Sequence, residues 1–63
     1  MNLFKVTLNY YGELHTFYTH TLSQSQALRN ARLKLEMKLR KVKNSLIVYF
    51  NGDKDNFKVE KIS

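Results

Sequence analysis

The stretch from Ser23 to Lys43, SQSQALRNARLKLEMKLRKVK, constrains the fold more than any other part of the chain. On a wheel of about 100° per residue, Leu28, Ala31, Leu35, Leu39 and Val42 recur three or four apart and make one apolar stripe. Ser23 and Gln26 have the spacing of a capping box: the serine oxygen accepts a free first-turn amide and the glutamine reaches back. A helix with one apolar stripe has to cover another apolar surface. The rest of the chain offers short β-type runs for that purpose, so a layered α+β domain is expected.

Those runs are readable one by one. Leu3 to Tyr10 alternates, with Phe4, Val6, Leu8 and Tyr10 on one side and Lys5, Thr7 and Asn9 on the other, the period of a half-buried strand. Tyr11-Gly12 supplies a hairpin turn, and Glu13 to Thr21 returns as an antiparallel strand. Two registers compete. A three-residue loop with a glycine bulge pairs Leu8 with Leu14 and Phe4 with Tyr18, whereas a two-residue loop pairs Val6 with Phe17. The first is preferred here. It turns Leu14, Tyr18 and Leu22 to the core with Thr16 and His20, and leaves His15 and Phe17 outside.

After the helix, Asn44-Ser45 breaks the pattern. Leu46-Ile47-Val48-Tyr49-Phe50, rich in β-branched and aromatic residues, reads as a central strand. Asn51 to Asn56 is a turn by composition, and Phe57 to Ile62 alternates as a fourth strand, with Phe50 opposite Phe57 and Val48 opposite Val59. This register turns Leu46, Val48, Phe50, Phe57 and Val59 to the helix and Ile47, Tyr49, Lys58, Glu60 and Ile62 away from it. The expected fold is therefore α+β: a ββαββ order, a four-stranded antiparallel sheet and one amphipathic helix on one face, all in a single domain spanning residues 1–63.

A chain this short buries only about 60% of the surface it would expose unfolded. Without cysteine it has no disulfide or thiolate metal site to compensate. No apolar run approaches the roughly 18 residues of a membrane span, and Met1-Asn2-Leu3-Phe4-Lys5 lacks the pattern of a signal peptide. A cytoplasmic protein without membrane contact is the expectation.

Catalytic and metal chemistry find no support. His15 and His20, five apart on a strand, point to opposite faces, and neither has a cysteine or carboxylate at ligand spacing. Asp53 and Asp55 flank Lys54 without the further ligands of a calcium loop. No serine elbow, phosphate loop or dinucleotide fingerprint is present. The expectation is a protein that is not an enzyme, with no cofactor and no metal.

Charge points elsewhere. Arg29, Arg32, Lys34, Lys38, Arg40, Lys41 and Lys43 face the single acid Glu36, a net of +6 that equals the formal charge of the whole protein. An ordinary solvent-facing helix mixes signs for i,i+4 pairing, and this one does not. Lysine and arginine so concentrated neutralise phosphates and release counterions, so nucleic acid is the expected partner, RNA and DNA both being open. The candidate contacts are Arg29, Arg32, Lys34, Arg40, Lys41 and Lys43. Tyr49 with Lys58 joins them as a stacking pair, and Tyr11, Phe17 and Lys5 interleave similarly in the first hairpin. Leu33 and Met37 sit four apart on the outward side among these cations, a candidate contact for a homodimer or a protein partner. The alternative is accordingly an inhibitor that docks its basic helix and the Leu33/Met37 ridge on an acidic protein surface.

In size, ββαββ layout, basic charge and freedom from cysteine, the chain resembles the short accessory proteins of bacteriophages, including anti-CRISPR and antitoxin-like inhibitors. The resemblance covers the whole chain through layout. "YYGE" and "FNGDKDNF" are turn chemistry, and no residue role carries over. It implies a regulator or inhibitor in the host cytoplasm that occludes a host defence or expression machine, sometimes through bound nucleic acid.

Overall fold

A computed structural model describes residues 1–63. The elements are β1 (Asn2–Tyr10), β2 (Glu13–Thr21), α1 (Gln24–Lys38) and β3 (Phe57–Lys61). They form a three-stranded antiparallel sheet in the order β2-β1-β3, with α1 packed across one face. The α+β class stands, but the four-stranded sheet does not, because Leu46–Phe50 is not a strand.

That segment winds into consecutive turns in which the Phe50 amide donates to the Leu46 carbonyl at 3.0 Å. At this helical spacing Leu46 and Phe50 are buried together, while Val48 is 70% exposed. The reason lies in Glu36. Its side chain is fully buried, and its two carboxylate oxygens accept the backbone amides of Asn44 at 2.7 Å and Leu46 at 2.9 Å. A carboxylate over the first free amides does for these turns what an N-cap does for a helix, and outweighs the β-propensity of Ile47, Val48 and Tyr49.

The first hairpin takes the two-residue loop. Tyr10 pairs with Glu13, Leu8 with His15 and Val6 with Phe17, which overturns the preferred bulged register. Tyr11 and Gly12 both have positive φ, 51° and 84°, as a type I′ turn requires. A one-residue shift reverses every side chain, so His15, Thr19 and Thr21 are buried while Leu14, Tyr18 and Leu22 are exposed.

The core consists of Phe4, Val6 and Leu8 from β1, Ala27, Ala31 and Leu35 from α1, and Leu46 and Phe50 from the turns. Small residues at 27 and 31 let the helix approach the sheet closely. Leu28 and Leu39 only flank this core, and Val42, 79% exposed, lies beyond the helix. The helix ends early because Leu39 is its C-cap and Arg40 turns left-handed at φ 58°. The Arg40 amide donates to Met37 O and the Lys41 amide to Glu36 O, the paired bonds of a Schellman motif. At the other end Ser23 Oγ accepts the Gln26 amide as expected, but the Gln26 side chain accepts from Thr21 Oγ1 instead of reaching back.

That last contact begins a polar seam. Along one flank of α1, residues 26, 30, 34 and 38 recur every turn and run antiparallel to β2. Thr21 Oγ1 donates to Gln26 Oε1 (2.6 Å), Asn30 Nδ2 to Thr19 Oγ1 (3.3 Å), Lys34 Nζ to the Tyr18 carbonyl (3.4 Å) and Lys38 Nζ to His15 Nδ1 (3.1 Å). The helix is thus fastened to the sheet by an apolar centre and one hydrogen-bonded edge.

Candidate nucleic-acid interface

The cations of the Arg29–Lys43 run fall into three environments. Arg32 lies against the fold at 7% exposure: Nη2 donates to Asn44 Oδ1 at 3.3 Å, and Nη1 is buried with no hydrogen-bond acceptor. Lys34 and Lys38 belong to the seam with β2, Lys34 through a long, exposed bond and Lys38 through a shorter one to the buried His15. Arg29, Arg40, Lys41 and Lys43 are exposed, on the helix or just behind it.

None of the lysines or arginines lies within 4.0 Å of a carboxylate. The one such approach involves a histidine, His15 Nε2 at 2.9 Å from Glu13 Oε1, and it lacks hydrogen-bond geometry. Glu36, the only acid placed to offset the run, spends both oxygens on backbone amides. The cations of this surface therefore have no ion-pair partner within the protein, although Glu36 keeps its one negative charge beneath them.

Leu33 is half-buried and Met37 is 78% exposed. With Glu36, Lys41 and Lys43 they line a groove of about 310 Å³. Lys41 also borders a second groove, of about 570 Å³, formed where the β1–β2 turn meets the Leu46–Phe50 segment. Here the structure assembles residues far apart in sequence. The rings of Tyr10, Tyr11 and Tyr49 lie within 4.6–5.1 Å of one another, centroid to centroid. The Tyr11 amide donates to the Tyr49 hydroxyl at 3.1 Å, and Asn56 Nδ2 donates to the Tyr49 carbonyl at 2.9 Å, so Tyr49 is held from both sides. Lys41 Nζ stands 5.8 Å from the Tyr10 ring centre and Lys54 Nζ 5.5 Å from that of Tyr49, both at cation–π distance.

Tyr49 and Lys58 are not brought together. Lys58 pairs with Thr7 on the sheet face away from the helix, where Lys5 and Tyr18 also stand, while Tyr49 has left the sheet altogether. Phe17, expected outside, is packed against the core. Tyr10 and Lys54 had no signal in sequence, since one reads as a strand residue and the other as turn chemistry. His15 and His20 remain on opposite faces, and no group of three histidine or acidic side chains is placed to hold a metal ion. No helix is long and apolar enough to cross a membrane.

Comparison with protein-family models, curated proteins and solved structures finds no match to this chain.

Proposed function

We propose that this is a non-catalytic regulator that binds nucleic acid through the exposed cations of α1 and of the segment behind it. The observation that carries the reading is the absence of any ion pair for these cations, with the sole acid of the run committed to backbone amides. Arg29, Lys34, Arg40, Lys41 and Lys43 are the phosphate contacts. Arg32, buried against Asn44, supports the chain geometry instead. Size, charge and lack of cysteine, shared with phage accessory inhibitors, suit a role in occupying nucleic acid that a host machine would otherwise use.

Five phosphate contacts predict that log K falls with log salt at a slope of about −3.5 on single strands or about −4.5 on duplex. A flat response in a titration across salt sinks the reading.

A second reading rests on Met37. A methionine 78% exposed beside Leu33, with Lys41 and Lys43 at the rim, suits an acidic protein surface carrying an apolar anchor. Nuclease treatment separates the two: it abolishes association mediated by nucleic acid and leaves a direct protein contact intact.

A further inference from the structure

We infer that the groove between the β1–β2 turn and the Leu46–Phe50 segment is a stacking site for an unpaired base, so that the nucleic acid bound is single-stranded. This rests on the reading of the basic surface as a phosphate-binding one, and adds to it which form of nucleic acid the protein takes.

Four observations support the assignment. First, the chemistry of the lining matches the occupant: Tyr10, Tyr11 and Tyr49 provide aromatic faces, Lys41 and Lys54 provide cations, Ser45 provides a hydroxyl, and no acid lines the groove. Asp53 and Asp55 neighbour Lys54 in sequence but do not line it. Aromatic rings interleaved with cations are how proteins hold single strands without reading sequence, because every base has a π face. A duplex keeps its bases stacked on one another and offers this groove only its backbone.

Second, Tyr11 occupies a position that its side chain does not suit. At φ 51° in the first central place of a type I′ turn, asparagine, aspartate or glycine is favoured, and a bulky residue there is under backbone strain. Burial does not compensate, since Tyr11 is 77% exposed. A strained, solvent-facing aromatic at a groove rim points to a use in binding.

Third, the site is preorganised. Tyr49 is held by the Tyr11 amide and by Asn56, and Lys41 and Lys54 stand over the Tyr10 and Tyr49 rings, which leaves the exposed Tyr11 ring as the face for a base and sets two cations beside it for the phosphates. The volume of about 570 Å³ lies within the roughly 300–1,000 Å³ of small-molecule sites. Fourth, Lys41 lines both this groove and the Leu33/Met37 groove, which makes the stacking site continuous with the basic segment Arg40–Lys43. A strand whose phosphates follow that segment delivers its base to the tyrosines.

The test is a titration of the full-length protein with short oligo(dT), oligo(U) and a duplex of the same length, followed by tyrosine emission, which has no tryptophan to mask it. The variant is Tyr11→Asn, which gives a favoured Asn-Gly turn and leaves net charge unchanged; because the Tyr11 ring also packs on Tyr10 and Tyr49, an unaltered melting midpoint and unaltered duplex binding are required of it as controls. Wild type is expected to bind single strands more tightly than duplex, with quenched tyrosine emission. Tyr11→Asn is expected to bind single strands about 5- to 150-fold more weakly, the equivalent of roughly 1–3 kcal/mol of stacking, with duplex binding unaltered. Lys43→Gln should weaken both to a similar extent. Comparing oligo(dT) with oligo(U) identifies DNA or RNA as the preferred strand. Unchanged single-strand affinity in Tyr11→Asn, or a preference for duplex, overturns the stacking site while salt-dependent binding leaves the basic surface standing. No salt-dependent binding to any of the three overturns both.

Discussion

Replacing Glu36 with glutamine changes the buried acid by one atom and should be among the most damaging conservative substitutions in the chain. The carboxylate accepts Asn44 N–H at 2.7 Å and Leu46 N–H at 2.9 Å, and the Leu46 bond is fully buried. A glutamine has one acceptor oxygen, which will serve Leu46, while its NH₂ turns a donor toward the Asn44 donor. The Asn44 bond, worth about 1.5–3 kcal/mol as a hydrogen bond to a charged group, is lost, and the Leu46 bond falls to about 1 kcal/mol as a neutral one. Relief of the buried charge offsets part of this, because desolvating an ion costs several kcal/mol. Two short charge-assisted bonds outweigh that relief, leaving a net loss of about 1–3 kcal/mol.

For a protein of 63 residues the whole stability is of order 3–9 kcal/mol, so Glu36→Gln removes a large share of it. Thermal unfolding followed by circular dichroism should show a midpoint lower by about 4–24 °C. Hydrogen exchange should show faster exchange at the Leu46 and Phe50 amides than in β1, since the turns lose their cap before the sheet opens. Glu36→Leu, which strands both amides, should be worse than Glu36→Gln. A midpoint in Glu36→Gln within about 2 °C of wild type would refute the argument that this carboxylate organises the turns.

Arg40→Gly should stabilise the protein by about 1 kcal/mol, raising the melting midpoint by about 4–8 °C, because an L-residue at φ 58° pays a penalty that glycine does not. On the proposed nucleic-acid reading the same variant removes one phosphate contact, and the salt slope should become shallower by about 0.7 on single strands. Arg32→Met should leave that slope unaltered, since the guanidinium is buried. It should change stability by less than about 1 kcal/mol in urea denaturation, because it removes an unpaired buried donor together with the Asn44 bond.

The sequence contained the parts of the fold that depend on local pattern. Alternation marks β1 and β3, a β-rich run following Gly12 marks the hairpin turn and β2, and Ser23 marks the helix start, because each signal is complete within a few residues. Two decisions were not local. The hairpin register rested on a choice between loops of two and three residues. The shorter loop prevailed although it buries His15, Thr19 and Thr21, because α1 supplies Lys38, Asn30 and Gln26 as hydrogen-bond partners for them. That seam is invisible until helix and strand are side by side.

The Leu46–Phe50 segment shows the same limit from the other direction. By propensity it is a strand, and in the fold it is a set of helical turns, since Glu36 places its carboxylate on amides eight and ten residues further along. The candidate interface divides likewise. The charge of the Arg29–Lys43 run was readable from composition, because counting needs no geometry. Which cations are free, and that Tyr10, Tyr11 and Tyr49 meet with Lys41 and Lys54, depended on contacts between residues as far apart in sequence as Tyr10 and Tyr49. Only the packed tertiary structure brings such groups together, and it does so here because one buried acid bends the chain back toward the hairpin.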